Sequence, residues 1–393
     1  MRMMFRLTIL LAGLVATASP SARDVQAGND IATQLQMVSN SQSLPRFDRV
    51  LLLESTSETS ANVSIGDLNG DGNLDILLVK GRHWPLISRV LLGDGKGHFP
   101  IAYNLGETAY RSYSGRLVDI DKDGDLDVVL SSDTPDPKVI YLNDGKGHFH
   151  LGSSYGRPEW ETRNASVADL NGDGRPDIIV ANRTNKNPAN YICLNKGKGN
   201  FDADCIAFSH ESATTITAAD FNKDGLIDLA VPHRDGGQSY VYLNDRHAAF
   251  SNLKRVPFGP PDAAIRMTEA VDLNGDGLLD IVAISERLGV AVYFGQNDGT
   301  FSAGMAIDNG KLTPYALAVG DLNHDGKIDI VVGNVEALST VYFTPVHFGD
   351  NKGAVYGFAI ADLDRDGLPD IAAARSDAPN AVYFASPGLR GTP

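Results

Sequence analysis

An all-β chain closed into a ring of seven four-stranded antiparallel blades, a β-propeller, is predicted by three observations. A nine-residue acidic pattern recurs seven times at intervals of about 50 residues, the spacing of propeller blades. Short β-branched and apolar runs flank each copy where helical periodicity would otherwise appear. Forty Gly and nineteen Pro among 393 residues supply the turns of a chain that reverses often.

The chain opens with Arg2 and Arg6, an apolar stretch from Leu7 to Ala16, and small residues at Ala16, Thr17 and Ala18. Together these predict an export signal over residues 1–18. The stretch is too short to span a bilayer, and no later run approaches the roughly 20 apolar residues a span needs. No Cys follows it to carry a lipid, so a secreted or periplasmic protein is expected, the alternative being an uncleaved N-terminal anchor. Residues 19–43 read as a polar linker with a short helix around Ile31 to Val38. Residues 44–393 form the propeller.

Within each period a short apolar strand such as Ala165 to Ala168 runs into the acidic loop. A second strand leaves the loop at once; Ile76 to Val79, Val128 to Leu130 and Ile330 to Val332 are apolar throughout, as in a strand buried on both faces. A variable loop leads to a third strand (Val139 to Leu142, Val241 to Leu243), and a Gly-rich turn leads to a fourth. The last period stops after its third strand, Ala381 to Phe384, while Arg46 to Val50 resembles a fourth strand without a blade. The N-terminal strand is therefore expected to complete the seventh blade and remove an open edge. The last interval between copies is the shortest, with its turn reduced to about Thr344 and Pro345.

Positions 1, 3, 5 and 9 of each acidic copy carry Asp or Asn. They are Asp67, Asn69, Asp71 and Asp75; Asp119, Asp121, Asp123 and Asp127; Asp169, Asn171, Asp173 and Asp177; and Asp220, Asn222, Asp224 and Asp228. The remaining three sets are Asp272, Asn274, Asp276 and Asp280; Asp321, Asn323, Asp325 and Asp329; and Asp362, Asp364, Asp366 and Asp370. Oxygen ligands on alternate residues of a tight loop suit Ca²⁺, and Gly at position 6 permits the turn. An Asx-rich turn without a cation would leave several carboxylates repelling one another. An EF-hand is excluded because position 12 is apolar (Leu78, Leu130, Val180) where a bidentate Glu belongs, and because the flanks are strands. The copies hold almost half of the 49 acids, and seven Ca²⁺ would nearly cancel the net charge of -15. That acidity, with no basic run, argues against a nucleic-acid partner.

Seven such loops in register resemble the FG-GAP/VCBS repeat family, although the literal FG and GAP dipeptides are poorly kept, Phe294-Gly295 being the nearest. The resemblance implies an integrin-α-like seven-bladed propeller with structural Ca²⁺, up to seven ions, in the loops between the first and second strands. It also implies ligands presented from the opposite rim.

On that rim the strand-2 to strand-3 loops contribute Arg82, His83, Trp84, Arg183, His233 and Arg234. Segments entering the first strands add Arg111, Tyr113, Trp160, Arg163, Arg266, Tyr315 and Tyr356. Six residues before each first Asp stand Ala61, Tyr113, Arg163, Thr214, Arg266, Tyr315 and Tyr356, a register expected to ring the mouth of the central channel. Aromatic faces and Arg forks suit a sugar or an anionic group. A monomeric, non-catalytic binding module for carbohydrate or protein is the expected function. A polysaccharide lyase acting on uronic-acid glycans is one alternative, with Arg163 or Arg266 neutralising a carboxylate and His83, His233 or Tyr113 moving protons. A structural scaffold is the other. Cys193 and Cys205 flank one hairpin turn and suggest a cross-strand disulfide in an exported protein. His98, His148 and His324, on the acidic-loop side, are expected to be solvated.

Overall fold

The computed structural model describes residues 45–388 except 185, 187, 246–249, 251, 309 and 343–345. The export signal, the linker with its helix and the turn at Thr344 and Pro345 lie outside these residues. Among the described residues there are 28 strands and no helix.

Strand β1 (Arg46–Leu52) comes first. Blade one follows as β2 (Ser60–Gly66), β3 (Asp75–Lys80), β4 (Arg89–Leu92) and β5 (Ile101–Asn104), and blade two as β6 (Ser112–Val118), β7 (Asp127–Ser132), β8 (Lys138–Asn143) and β9 (Phe149–Tyr155). Blade three is β10 (Thr162–Ala168), β11 (Asp177–Asn182), β12 (Asn190–Cys193) and β13 (Ile206–Ser209). Blade four is β14 (Thr217–Ala219), β15 (Asp228–Val231), β16 (Ser239–Leu243) and β17 (Lys254–Phe258). Blade five is β18 (Ile265–Val271), β19 (Asp280–Ser285), β20 (Gly289–Tyr293) and β21 (Met305–Ala306). Blade six is β22 (Pro314–Gly320), β23 (Asp329–Asn334), β24 (Ser339–Tyr342) and β25 (Val346–Phe348). Blade seven holds β26 (Ala354–Ala361), β27 (Asp370–Ser376) and β28 (Ala381–Ser386), with β1 paired antiparallel to β28 as its fourth strand.

The second strands are buried because each packs against both neighbouring blades. Ile76 and Leu78 of β3 face blade seven beside Ala372, Ala374 and Val382, whereas Leu77 and Val79 face blade two beside Val128 and Leu130. With alternate side chains on opposite faces, one strand serves two cores. Each such side chain contributes about 1.5–3 kcal/mol when fully buried. Cys193 and Cys205 form a disulfide that joins β12 to the segment before β13.

The returning N-terminus is held by charge as well as by pairing. Just past β1, Glu54 is buried with Lys80 at the end of β3, and Glu58 binds the same ammonium. Asn380, before β28, donates to Glu54 and to Ser60 Oγ (2.9 Å), so residues of blades one and seven meet at one buried carboxylate. Lys80→Met leaves Glu54 uncompensated, and a buried pair broken on one side costs about 3–5 kcal/mol. The expected outcome in denaturant unfolding is a midpoint shift of that size, and an unchanged midpoint would show that the clasp does not hold the closing strand.

Candidate functional site

The acidic loops and the channel mouth lie at opposite ends of the first strands. In the third loop, Asp169 Oδ1 accepts from the amides of Gly172 (2.8 Å) and Asp173 (3.1 Å), and Oδ2 accepts from Gly174 (2.8 Å). Gly174 has φ +81°, a conformation that favours glycine. Asn171 Oδ1 accepts from the Asp173 amide (2.9 Å), and Asp173 Oδ1 accepts from the Arg175 amide (3.0 Å). The first Asp of all seven loops accepts from the Gly at position 6.

Position 9 has a role that its reading as a metal ligand missed. Asp177 Oδ2 accepts from the Leu170 amide (3.1 Å) at position 2, and Oδ1 accepts from the Asn195 amide (2.9 Å) beyond the third strand. The first of these bonds recurs in all seven loops. The Asn195 side chain in turn donates to the Ile120 carbonyl (2.9 Å) of the preceding blade, as Asn143 does to Leu68 (2.8 Å) and Asn244 to Leu170 (2.8 Å). Each carboxylate oxygen keeps a second lone pair for a cation.

Carboxylate oxygens of Asp119, Asp121 and Asp127 lie within 4.8 Å of one another, as do those of Asp362, Asp364 and Asp370. In the other five loops position 3 is Asn, which offers an amide oxygen. Burial pushes the position-9 carboxyls up to about 6, and to about 7 for Asp370, with the neighbouring loop carboxylates adding to the shift. An all-oxygen donor set with mutual repulsion fits a hard cation.

At the other end, a cavity of about 360 Å³ is lined by all seven residues of the predicted register, from Ala61 to Tyr356. A β-bulge explains the convergence. In the pairing of β2 with β3, Ser60 opposes Lys80 and Asn62 opposes Val79, which leaves Ala61 without a partner. Tyr113, Arg163, Arg266, Tyr315 and Tyr356 are skipped in the same way in their blades. A bulged residue is re-aimed out of the ladder. Blade four is the exception, because β14 starts three residues after Thr214.

Arg82, His83, Arg183 and Arg234 join the cavity wall. Arg163 pairs with Asp133 (2.6 Å), Arg183 with Asp235 (2.8 Å), and both Arg234 and Arg266 (3.1 Å) with Glu286. Guanidinium groups also stack on rings: Arg82 on Tyr356 (3.5 Å), Arg266 on Tyr315 (3.8 Å) and Arg163 on Tyr113 (4.5 Å). Tyr113 Oη and His83 Nδ1 lie 3.2 Å apart. Desolvation, then the Arg82 and Arg163 charges, hold the His83 pKa below its ordinary value.

Four sequence-predicted rim residues stand outside this cavity. Arg111 is drawn to Asp136 (3.1 Å), Trp160 stacks on Tyr191 (3.9 Å), Trp84 is 69% exposed, and the His233 ring packs by Gly237. His98 and His148, expected to be solvated, each sit beside the Asp four residues earlier (3.1 and 2.9 Å) because the Gly-rich turn folds back on itself. His324 Nε2 lies 2.7 Å from the Gly367 carbonyl and bridges two loops.

Sequence reasoning passed over Arg116 and Glu269, which line the cavity three residues before a first Asp. They are the charged members of a row that also holds Ser64, Ser166 and Thr217, whose hydroxyls bond to the next blade, and Ala318 and Ala359. Ser64 Oγ donates to Gly115 (2.8 Å), Thr217 Oγ1 to Thr268 (2.7 Å), Ser166 Oγ to Ile216, and Arg116 Nε to Ala165 (3.0 Å). Aligning that row across the repeats would have exposed both. Burial pushes the Glu269 carboxyl up to about 7, against the pull of Arg116.

Two crystal structures described as BBS1N in complex with ARL6DN, one soaked with mercury and one with lead, share the fold. They match with TM-scores of 0.61 and 0.58 at 12% identity, over 90% of this chain and 99% of theirs. Comparison with curated proteins found no match. The family model of the FG-GAP-like repeat matches residues 67–130, 119–180, 169–231, 220–283 and 272–332, each stretch running from one acidic loop through the second strand of the next blade. Matched over well over half of its length, in register with its loops and blades, the chain belongs to the FG-GAP-like repeat family.

Proposed function

We propose that this propeller is an exported, Ca²⁺-stabilised, non-catalytic binding module whose carbohydrate or protein ligand enters the channel mouth opposite the acidic loops. The observation that carries this reading is the cavity itself. Among the described residues, four of its lining side chains keep a buried polar atom without a hydrogen-bond partner: Arg82 Nε, Thr214 Oγ1, Thr215 Oγ1 and Arg234 Nε. Buried polar atoms left unsatisfied are costly, and a ligand can satisfy them. The propeller in the similar crystal structures is held in a complex with another protein, which is consistent with a binding role for the fold. The acidic loops would hold Ca²⁺ through positions 1, 3, 5 and 9, neutralising their carboxylates and tying the hairpins. Export is supported by the N-terminal residue pattern and by the Cys193–Cys205 disulfide.

A lyase reading is favoured by one further contact, the His83–Tyr113 pair beside Arg82 and Arg163. In β-elimination a base takes the proton α to a uronate carboxylate, the electrons form a C=C bond, the bond to the leaving oxygen breaks, and that oxygen takes a proton. A neutral His83 and the Tyr113 hydroxyl are placed to share these transfers, with an Arg neutralising the carboxylate.

Two outcomes are expected. Excess chelator lowers the melting temperature by roughly 10 °C or more, as linkage requires of cations bound only to the folded state, and an unchanged melt would contradict the metal assignment. In NMR titration His83 gives a pKa below the ordinary value of about 6.5, and Arg82→Gln raises it. A value at or above the ordinary one would remove the neutral base that the lyase reading needs.

A further inference from the structure

We infer that the ligand of the channel mouth is an acidic glycan segment, bound through its carboxylate or sulfate groups by the cavity arginines. This rests on the mouth being the binding face.

The charge balance comes first. Six arginines line the cavity, Arg82, Arg116, Arg163, Arg183, Arg234 and Arg266, against one carboxylate, Glu269. Behind the wall, Asp133, Asp235 and Glu286 serve four of the guanidiniums, with Glu286 shared by two. Among the described residues Arg82 makes no ion pair: its neighbours are the Tyr356 ring, Ser376 Oγ (3.4 Å) and His83 (3.5 Å). Counting all four acids, the cavity keeps two surplus positive charges within a chain of net charge -15. Such an island draws an anion and repels the rest of this chain's own acidic surface.

The donors are the second observation. A guanidinium carries N–H donors and no acceptor, so the buried, unpartnered Arg82 Nε and Arg234 Nε require an acceptor oxygen. Arg234 is only 8% exposed, and its carboxylate partner engages the other end of the fork. Carboxylate and sulfate oxygens match that geometry.

The aromatic rings complete the case. A neutral sugar is held chiefly by stacking on an open aromatic face, and the three mouth tyrosines have guanidiniums on theirs. Arg163, Tyr113, Arg82, Tyr356, Tyr315 and Arg266 form a continuous arc of ring and cation contacts drawn from six blades. The tyrosines thus position arginines. A glycan backbone is favoured over an acidic peptide by the neutral groups beside the arc: the Thr214 and Thr215 hydroxyls, unpartnered, suit sugar hydroxyls.

The test is isothermal titration of the full exported protein, with Ca²⁺ present, against trigalacturonate, a neutral galactotriose, an acidic tripeptide and inorganic sulfate. Trigalacturonate is expected to bind, at least tenfold more tightly than galactotriose, and to lose at least tenfold in affinity on raising salt from 50 to 500 mM or on Arg82→Gln. Arg82 has no acidic partner to orphan, so this variant is expected to keep the wild-type melt. Arg234→Gln provides a second variant. Sulfate competing with trigalacturonate supports the anion subsite. Equal or tighter binding of galactotriose or of the peptide, abolished by Tyr315→Ala, overturns the acidic glycan and leaves the mouth as the binding face. Binding of any probe that neither variant nor Tyr315→Ala alters, or no binding by any probe, overturns the inference together with the choice of face.

Discussion

Everything in this ring depends on the buried aspartate that ends each acidic loop. In blade three one carboxylate accepts from the amide at position 2 of its own loop and from the Asn195 amide just beyond the third strand. It therefore joins three strands of a blade at one point, where charge-assisted bonds in a dry setting are strong. The residue carrying the first of those amides (Leu68, Ile120, Leu170) packs into the core between its blade and the next. Asparagines at or just past the ends of the third strands of blades two to four extend the same latch to the preceding blade's carbonyl. Apolar packing alone would leave seven similar wedges free to slide. The carboxylates set their register.

That constraint at one end of the first strand determines what happens at the other. Six residues separate the bulge position from the first Asp, roughly 20 Å along an extended strand. The loops are thus too distant to touch a ligand at the mouth, and their contribution there is to hold the strands. With registers locked, the extra residue of each bulge is forced out of the ladder, and the channel axis is where space remains. Side chains from seven blades then meet in one cavity, although each comes from a different repeat and none is close to the next in the chain.

Much of this was legible in the sequence. Seven copies of a nine-residue pattern carry their own evidence, because chance does not repeat Asp, Asp, Gly and Asp at fixed offsets. The closing strand was visible as a remainder at Arg46 to Val50, and β1 occupies that place. The mouth register could be read by counting back from the loops, because a strand transmits position rigidly. The bulge behind it could not be read, since no residue type marks it: Ala61, Arg163 and Tyr315 share the position and nothing else. Trp84, Arg111, Trp160 and His233 were assigned by loop membership alone, and a loop can turn its side chain toward Asp136 or Tyr191 as readily as toward the axis. The double hydrogen bond of position 9 was hidden because the residue that makes a good cation ligand also makes a good amide acceptor.

The position-9 carboxylates are the frame on which the ring is held. Amide hydrogen exchange in Ca²⁺-containing buffer tests this at Leu68, Ile120, Leu170, Phe221, Leu273, Leu322 and Leu363, which donate to those carboxylates. These seven amides are expected to exchange only through global unfolding, as slowly as the centres of the buried second strands. Exchange at the rate of exposed loop amides such as that of Glu107, while the second strands stay protected, would contradict it.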